Sequence, residues 1–364
     1  MSVVLFLIIL AVLIAVHEFG HFITAKLSGI RVDEFAIGFP PKLFSWTRGE
    51  TKYSLNVIPF GGFVKIYGED PTEAPVETDP KRNFSNKPKP IQALVLSAGV
   101  LFNILFAWLL LSIALMVGLP APSDYAGSMV LKDAKVTVLG TLPNSPAGEA
   151  GILPGDVIEK ISAGDNSSVY PVATVLSVQE FIAAHSDQKI FLEIKRKGDT
   201  KIFDLTPVEI QGKTAVGISL GSVGILKASP ITAFYEGAKL TLTSLYQITI
   251  GLFSFLKDAF MGAANLSQIT GPVGIVNLVG EASEFGLAYL LGFTAFISIN
   301  LAVINILPFP ALDGGRLLFV GIEGVTRRRV NVKFQNIANF VGFCLLILLM
   351  ILITYQDISR LFGH

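Results

Sequence analysis

Two of the four histidines in this 364-residue sequence fall within one turn, His17-Glu18-Phe19-Gly20-His21. On a helix, the i, i+4 spacing puts both imidazoles on one face, where they can share a zinc ion, with Glu18 beside them to activate a water. Catalytic zinc usually takes three protein ligands and keeps a fourth position open, so a third ligand has to come from elsewhere in the chain. Asp313 stands out among few candidates in apolar surroundings. It lies in Asn305-Ile-Leu-Pro-Phe-Pro-Ala-Leu-Asp313-Gly314-Gly315, where Pro308 and Pro310 break a helical ladder and the glycines permit a tight turn. The plain alternatives are a solvated helix end with capping histidines for the first motif, and an interfacial acid after a helix stop for the second. The apolar setting weighs against the first alternative, because a charged group near the middle of a membrane helix costs about 2.5–3.5 kcal/mol and such residues are functional by default. Zinc follows from ligand type, although iron or cobalt suit the same ligands in principle.

The composition points to a membrane protein, with 51% of residues hydrophobic and only 15% charged. Lysine plus arginine number 28 and aspartate plus glutamate 28, so no basic excess points to nucleic acid. The single cysteine, Cys344, excludes an intramolecular disulfide and any multi-cysteine metal site, and its apolar neighbours suggest an inert core thiol. A spanning helix needs about 20 mostly apolar residues. Four segments qualify, within 1–27, 91–119, 285–315 and 334–356, the first carrying the histidine pair and the third ending on Asp313. No basic residue precedes the first segment, so it reads as a retained span and not a signal peptide. Residues 240–256 are diluted by threonine, serine and glutamine, and 220–284 reads as an amphipathic linker lying on the membrane surface.

The loop with Arg327, Arg328, Arg329 and Lys333 belongs in the cytoplasm by the positive-inside rule. Four spans then put both termini outside, residues 28–90 inside, and the long segment after the second span outside. His17 and Asp313 reach the same depth on the cytoplasmic side only if one span separates their helices. A fifth span at 240–256 would put Asp313 on the opposite face and the arginine triplet outside.

Residues 128–219 alternate short β-type runs with Gly, Pro, Asn and Asp clusters, as expected of a small β-rich module. Within the inner segment, Thr51–Asp70 has two alternating apolar runs around Pro59-Phe60-Gly61-Gly62, which reads as a β-hairpin over about 51–68. Its tip is too apolar for an exposed turn. A hairpin dipping to membrane depth needs protein or a watery cavity against its backbone, and the alternative is a hairpin lying on the membrane surface.

Asn144–Ile158, NSPAGEAGILPGDVI, resembles the PDZ domains of bacterial membrane-associated proteases. In that likeness Val216, Gly217 and Ile218 form the loop and edge strand that capture a peptide end, against the plainer reading of an ordinary closing strand. HEFGH, the IPFGG segment, Gly99-Val-Leu-Phe-Asn103, Thr270-Gly-Pro-Val-Gly-Ile275 and NILPFPALDGG together resemble the site-2 protease family of intramembrane zinc metalloproteases. The likeness is nearest to the bacterial RseP-like regulators, here with a single PDZ domain where many relatives have two. The resemblance implies a polytopic α-helical protein of the bacterial inner membrane, with four transmembrane helices, a re-entrant β-hairpin and an extracytoplasmic PDZ domain. It implies zinc on His17, His21 and Asp313, Glu18 as the catalytic base, and Asn305 on the substrate backbone. Gly61, Gly62 and Phe63 in the hairpin, with Asn103 beside the site, would complete the substrate surroundings. The implied substrates are single-span membrane proteins already shortened outside, such as anti-sigma factors, or remnant signal peptides, with no nucleic acid involved. The rival from another class is an inactive membrane scaffold whose PDZ module binds protein tails. A metal transporter would need acidic or histidine residues along a path, and the second and fourth spans supply none.

Overall fold

The computed structural model describes residues 1–69, 79–122, 131–142, 144–164, 169–172, 174–186, 188–196, 198–210, 212–263 and 270–361. The chain forms two units, Met1–Ala114 with Pro230–His364, and Leu115–Ser229.

In the first unit, helix α1 (Ser2–Leu27) carries HEFGH and is followed by two long antiparallel strands, β1 (Val32–Arg48) and β2 (Thr51–Ile66). The hairpin turn lies at Gly49 and Glu50, not at Pro59–Gly62 as the sequence suggested. The tip segment is instead where β2 changes sides. Residues 51–56 pair with the second half of β1 and also with its first half, and Gly62–Ile66 pair with the far side of that first half. Gly38 and Gly61 make the bend possible, with φ of +83° and +119° and no room for a side chain: a Cβ on Gly61 would run into the Phe39 ring. The sequence reading missed β1 as the partner, so the sheet has four segments rather than two, and Gly62–Ile66 form an edge among the described strands. Helix α2 (Lys89–Val117) crosses α1 closely at Gly20, where a Cβ would lie 2.5 Å from the Ala98 carbonyl oxygen.

The second unit is a seven-stranded sheet with β3 (Leu119–Pro122), β4 (Leu131–Thr141), β5 (Val157–Ala163), β6 (Val169–Pro171), β7 (Ile190–Arg196), β8 (Asp199–Leu205) and β11 (Ile218–Leu226). The path runs β3-β11-β4-β5-β7-β8, and β6 pairs with β5. A separate hairpin joins β9 (Val208–Ile210) to β10 (Lys213–Ala215). Two helices complete it, α3 (Pro146–Glu149), capped by Ser145, and α4 (Val175–Ala184), opened by a Thr174–Ser177 capping box. Val138, Ile158, Ile161, Val178, Ile190, Leu192 and Ile194 form one continuous core. The GD turn of the PDZ-like motif has a structural role, because buried Asp156 accepts the Leu153 N–H (2.9 Å) and two bonds from Arg196 (2.7 and 2.6 Å). The unit reaches past the expected 128–219 because β11 runs on to Leu226 and pairs with β3; residues 128–130 of that expectation lie outside the described residues.

The chain returns to the first unit through α5 (Pro230–Phe260), α6 (Pro272–Glu284), α7 (Leu287–Asn305), α8 (Asp313–Thr326) and α9 (Val332–Leu361). Residues 220–284 thus include the end of β11 and two helices that each pack one face on other helices of this unit. Leu240, Leu245, Ile248 and Leu252 of α5 pack against Leu110 and Leu111 of α2 and Ile299 and Val303 of α7. Val279 of α6 packs on Ile9 and Leu13 of α1. Asp357 near the end of α9 is buried and accepts the N–H groups of Gly271 (3.1 Å) and Gly274 (2.9 Å), capping α6 from across the fold. Among the described residues four helices are long and apolar enough to span a bilayer, α1, α2, α7 and α9. Helix α9 is only 6% buried over its apolar window, and Cys344 is exposed on it, so the expected core thiol is a surface one.

Candidate metal centre

The third span ends earlier than the sequence suggested, at Asn305, and Asp313 is the first residue of a separate helix. Pro308 and Pro310 are the reason, since neither can continue the ladder of α7. The chain then doubles back so tightly that a Cβ on Gly314 would meet the carbonyls of Ile306 and Leu307, and one on Gly315 the carbonyl of Phe309. Asn339 on α9 steadies this loop by accepting the Ala311 N–H (3.2 Å), and Gly342 lets Pro310 approach α9.

This fold brings His17, His21 and Asp313 together although up to 296 positions separate them. One ligand atom from each lies within 4.8 Å of the others. The Nε2 atom of His17 is 2.9 Å from Asp313 Oδ2, that of His21 is 3.3 Å from the same oxygen, and the two Nε2 atoms are 3.3 Å apart. Ligand atoms about 2.0–2.2 Å from a tetrahedral ion stand about 3.3–3.6 Å from one another, so the two 3.3 Å separations suit one coordination shell and the 2.9 Å one has to open slightly to admit the ion.

Tautomers agree with that use. His21 Nδ1–H donates to the Val95 carbonyl of α2 (2.8 Å), which leaves Nε2 unprotonated and facing the cluster. His17 Nδ1 lies 3.2 Å from the Asn103 side-chain amide, whose Oδ1 is buried without a partner. Turning that amide over puts Oδ1 against Nδ1–H and frees His17 Nε2 for a metal. Asn103 is itself fully buried, and its carbonyl accepts the Ser298 hydroxyl of α7 (2.8 Å). It therefore orients His17 and does not face substrate, which corrects the expectation from sequence. Gly99, one turn before Asn103, has no side chain because a Cβ there would strike His21 Nε2 and lie 2.8 Å from His17 Nε2.

A pocket of about 180 Å³ opens beside the cluster, lined by Glu18, His21, Phe63, Val64, Ile66, Glu69, Asp313 and Arg316. The β2 edge is one wall. A Cβ on Gly62 would lie 2.9 Å from the Ala36 carbonyl oxygen of β1, which is the contact that excludes a side chain, and 3.3–3.4 Å from Ile14 and Glu18 of α1, which places the strand at the level of Glu18. Gly61 is turned the other way, towards Phe39. Asn305 is half-buried at the end of α7.

The Peptidase family M50 profile matches residues 5–349. The chain belongs to this family. A Clostridium perfringens protein named for zinc metalloprotease activity is 38% identical over 360 residues, with 98% of each chain covered. The zinc metalloprotease RasP of Oceanobacillus iheyensis is 30% identical, and the regulator of sigma-W protease RasP of Bacillus subtilis 28%, each with 99% of both chains covered. This M50 protein is a zinc metalloprotease of the site-2 protease kind, and its four apolar helices suit an inner-membrane protein.

Four residues of the M50 pocket escaped the sequence reading, Val64 and Ile66 of β2 and the charged pair Glu69 and Arg316. Arg316 sits one turn after Asp313, so helical periodicity alone pointed to it. Glu69, its ion-pair partner at 2.6 Å, gave no signal, being 247 positions away. In the β-rich unit, the Val216 and Gly217 carbonyls accept the N–H groups of Ala147 (3.0 Å) and Leu142 (2.8 Å), and Ile218 pairs with Thr141 of β4. Gly217 is required there, with φ of +82° and Ser145 filling the place of a Cβ.

Proposed function

We propose that His17, His21 and Asp313 hold the catalytic zinc, that Glu18 is the general base, and that the enzyme cuts transmembrane segments of single-span proteins. The observation that carries this is the convergence of the three ligand atoms within 4.8 Å beside a pocket that Glu18 lines. A zinc ion held by these three residues would supply Lewis-acid chemistry, lowering the pKa of a water and polarising the scissile carbonyl. Glu18 takes the proton from the water and delivers it to the departing amine, while the Val95 and Asn103 contacts hold the imidazoles in register.

A substrate helix hides its peptide groups in i to i−4 bonds and has to unwind before attack. The outer edge of Gly62–Ile66 offers the unwound segment backbone groups to pair with next to Glu18, with Phe63 forming the pocket wall. Asn305 satisfies a further backbone group of the substrate. The basic loop after α8, Arg327–Arg329, lies in the cytoplasm, which puts the zinc site on that side and both termini and the β-rich, PDZ-like unit outside. The likeness to a protein named regulator of sigma-W protease favours anti-sigma factors, shortened outside beforehand, as substrates, with remnant signal peptides of the same form.

The deciding experiment is zinc content of detergent-purified protein together with cleavage of a model single-span substrate. Wild type carries one zinc per chain and cleaves. Glu18→Gln keeps zinc and loses cleavage, and Asp313→Ala loses both. Metal loss in Glu18→Gln would contradict its assigned role, and metal-free, inactive wild type would favour a scaffold.

A further inference from the structure

Next to the catalytic pocket lies a second cavity of about 480 Å³, whose wall includes Tyr67, Glu69, Gln92, Arg316, Glu323 and Asn336. Of its lining, only Glu69 and Arg316 also line the catalytic pocket. Their ion pair is therefore the partition between the two spaces. The Arg316 side chain is half exposed while that of Glu69 is largely buried, so the arginine is the member of the pair that can swing out into solvent. Glu69 also follows directly on β2: the strand ends at Ile66, and Tyr67, Gly68 and Glu69 continue into the wall of the larger cavity.

This continuity gives the cavity a direction. A substrate strand laid along Gly62–Ile66 starts level with Glu18 and runs about 13 Å, at ~3.3 Å per residue, before β2 ends. Beyond roughly the fourth residue from the scissile bond it has no strand to pair with, and the space ahead is the second cavity. That space is unlike a slot for a transmembrane segment. Lys89, Glu323, Arg329, Gln92 and Asn336 supply charged and amide groups along it, and Lys89 is paired with Glu323 at 2.5 Å. The chemistry suits a polar chain, which is what flanks a transmembrane helix at the surface bearing the basic loop.

We propose that this cavity is a substrate subsite for the polar juxtamembrane residues on the basic-loop side of the scissile bond, entered by displacing the Glu69–Arg316 pair. The inference rests on the zinc-site and edge-strand reading above and adds a specificity requirement to it. Good substrates need a hydrophilic segment beginning about four residues past the cut, long enough to thread the partition.

Two model substrates with the same transmembrane segment test this, one keeping its polar flank on that side and one ending just past the scissile bond. Wild type is expected to show kcat/KM about tenfold higher for the long form, equivalent to about 1.4 kcal/mol. Asn336→Trp, a bulky replacement at an exposed position of α9, fills the cavity and brings the ratio between the two substrates close to one, with zinc content retained as the check on folding. A photoreactive phenylalanine at position 336 in a Glu18→Gln background should crosslink to the polar flank of the long substrate. Equal rates for both substrates in wild type, a ratio that survives in Asn336→Trp, or crosslinks confined to the opposite flank would overturn the subsite. Wild type without zinc, or inactive on both forms, would instead overturn the zinc-site reading itself.

Discussion

The β-rich unit and the helical unit solve different problems with their buried groups. In residues 115–229 the buried residues are mostly aliphatic, and the main polar ones are satisfied nearby: Ser145 caps α3 three residues on, and Asp156 meets Leu153 and, 40 positions away, Arg196. In the helical unit the decisive buried polar groups meet across the whole chain, with His17 on Asn103 over 86 positions and on Asp313 over 296. The surfaces differ as well. Helix α9 exposes an almost wholly apolar run that includes Phe340, Phe343, Leu348 and Ile351, whereas strand β8 of the other unit exposes Lys201 and Asp204 around Ile202. An aliphatic core tolerates small errors of position because the hydrophobic effect has no direction, but a metal shell fails if one ligand turns away.

Four substitutions break or sharpen that contrast, taken from the largest expected effect. Gly99→Ala puts a methyl group against both imidazoles. We expect it to abolish zinc binding and cleavage, read by metal analysis, while a circular-dichroism spectrum stays that of a folded protein. Asn103→Leu keeps the volume but removes the partner of His17 Nδ1, and should weaken zinc about 10- to 100-fold in a chelator competition. If affinity is unchanged, Asn103 is only a packing residue. Leu192→Ala, in the core of the β-rich unit, should cost that unit about 2–5 kcal/mol in denaturant unfolding yet leave zinc content alone. Loss of metal in this variant would show that the two units are not energetically separate.

Glu50→Gln should give the smallest change. Glu50 sits in the hairpin turn and accepts hydrogen bonds from Arg82 and then Lys26 at the end of α1, which together hold its carboxyl down to about 2. A depressed carboxylate pKa means the contribution is fully present above the ordinary value of 4.5 and is lost as pH falls towards 2. The group is about one-third exposed, so the effect at pH 7 is about 1 kcal/mol or less. Melting curves of wild type and variant should converge as pH drops, and a gap that widens on acidification would reverse the assignment.

Much of the site was legible because it is written in local spacing. HEFGH needs only a helix to put His17 and His21 together, and the Pro308–Pro310 pair before Asp313 announces a broken backbone at an acid. The four apolar helices were legible too, since apolar length is a compositional signal, and α5 with its threonines and serines falls short of them. The hairpin was misread for a physical reason. Alternation marks a strand but not its partner, and β1 was needed to show that β2 pairs on both sides of it. Helices α5 and α6 read as a surface linker because amphipathicity does not tell a lipid headgroup from a neighbouring helix as the cover of the apolar face.

The sequence by itself determined the four long apolar helices, the histidine pair with its glutamate, the aspartate beyond the prolines and the presence of a β-rich insert. Each of these depends on residues within a turn, a strand or a span of one another. Only the tertiary structure decided that Asp313 opens α8, that Asn103 and Val95 set the imidazole tautomers, that Gly99 clears their space, and that Glu69 meets Arg316. Those pairings join distant positions, where an entire fold fixes a few ångströms and no local pattern encodes the distance.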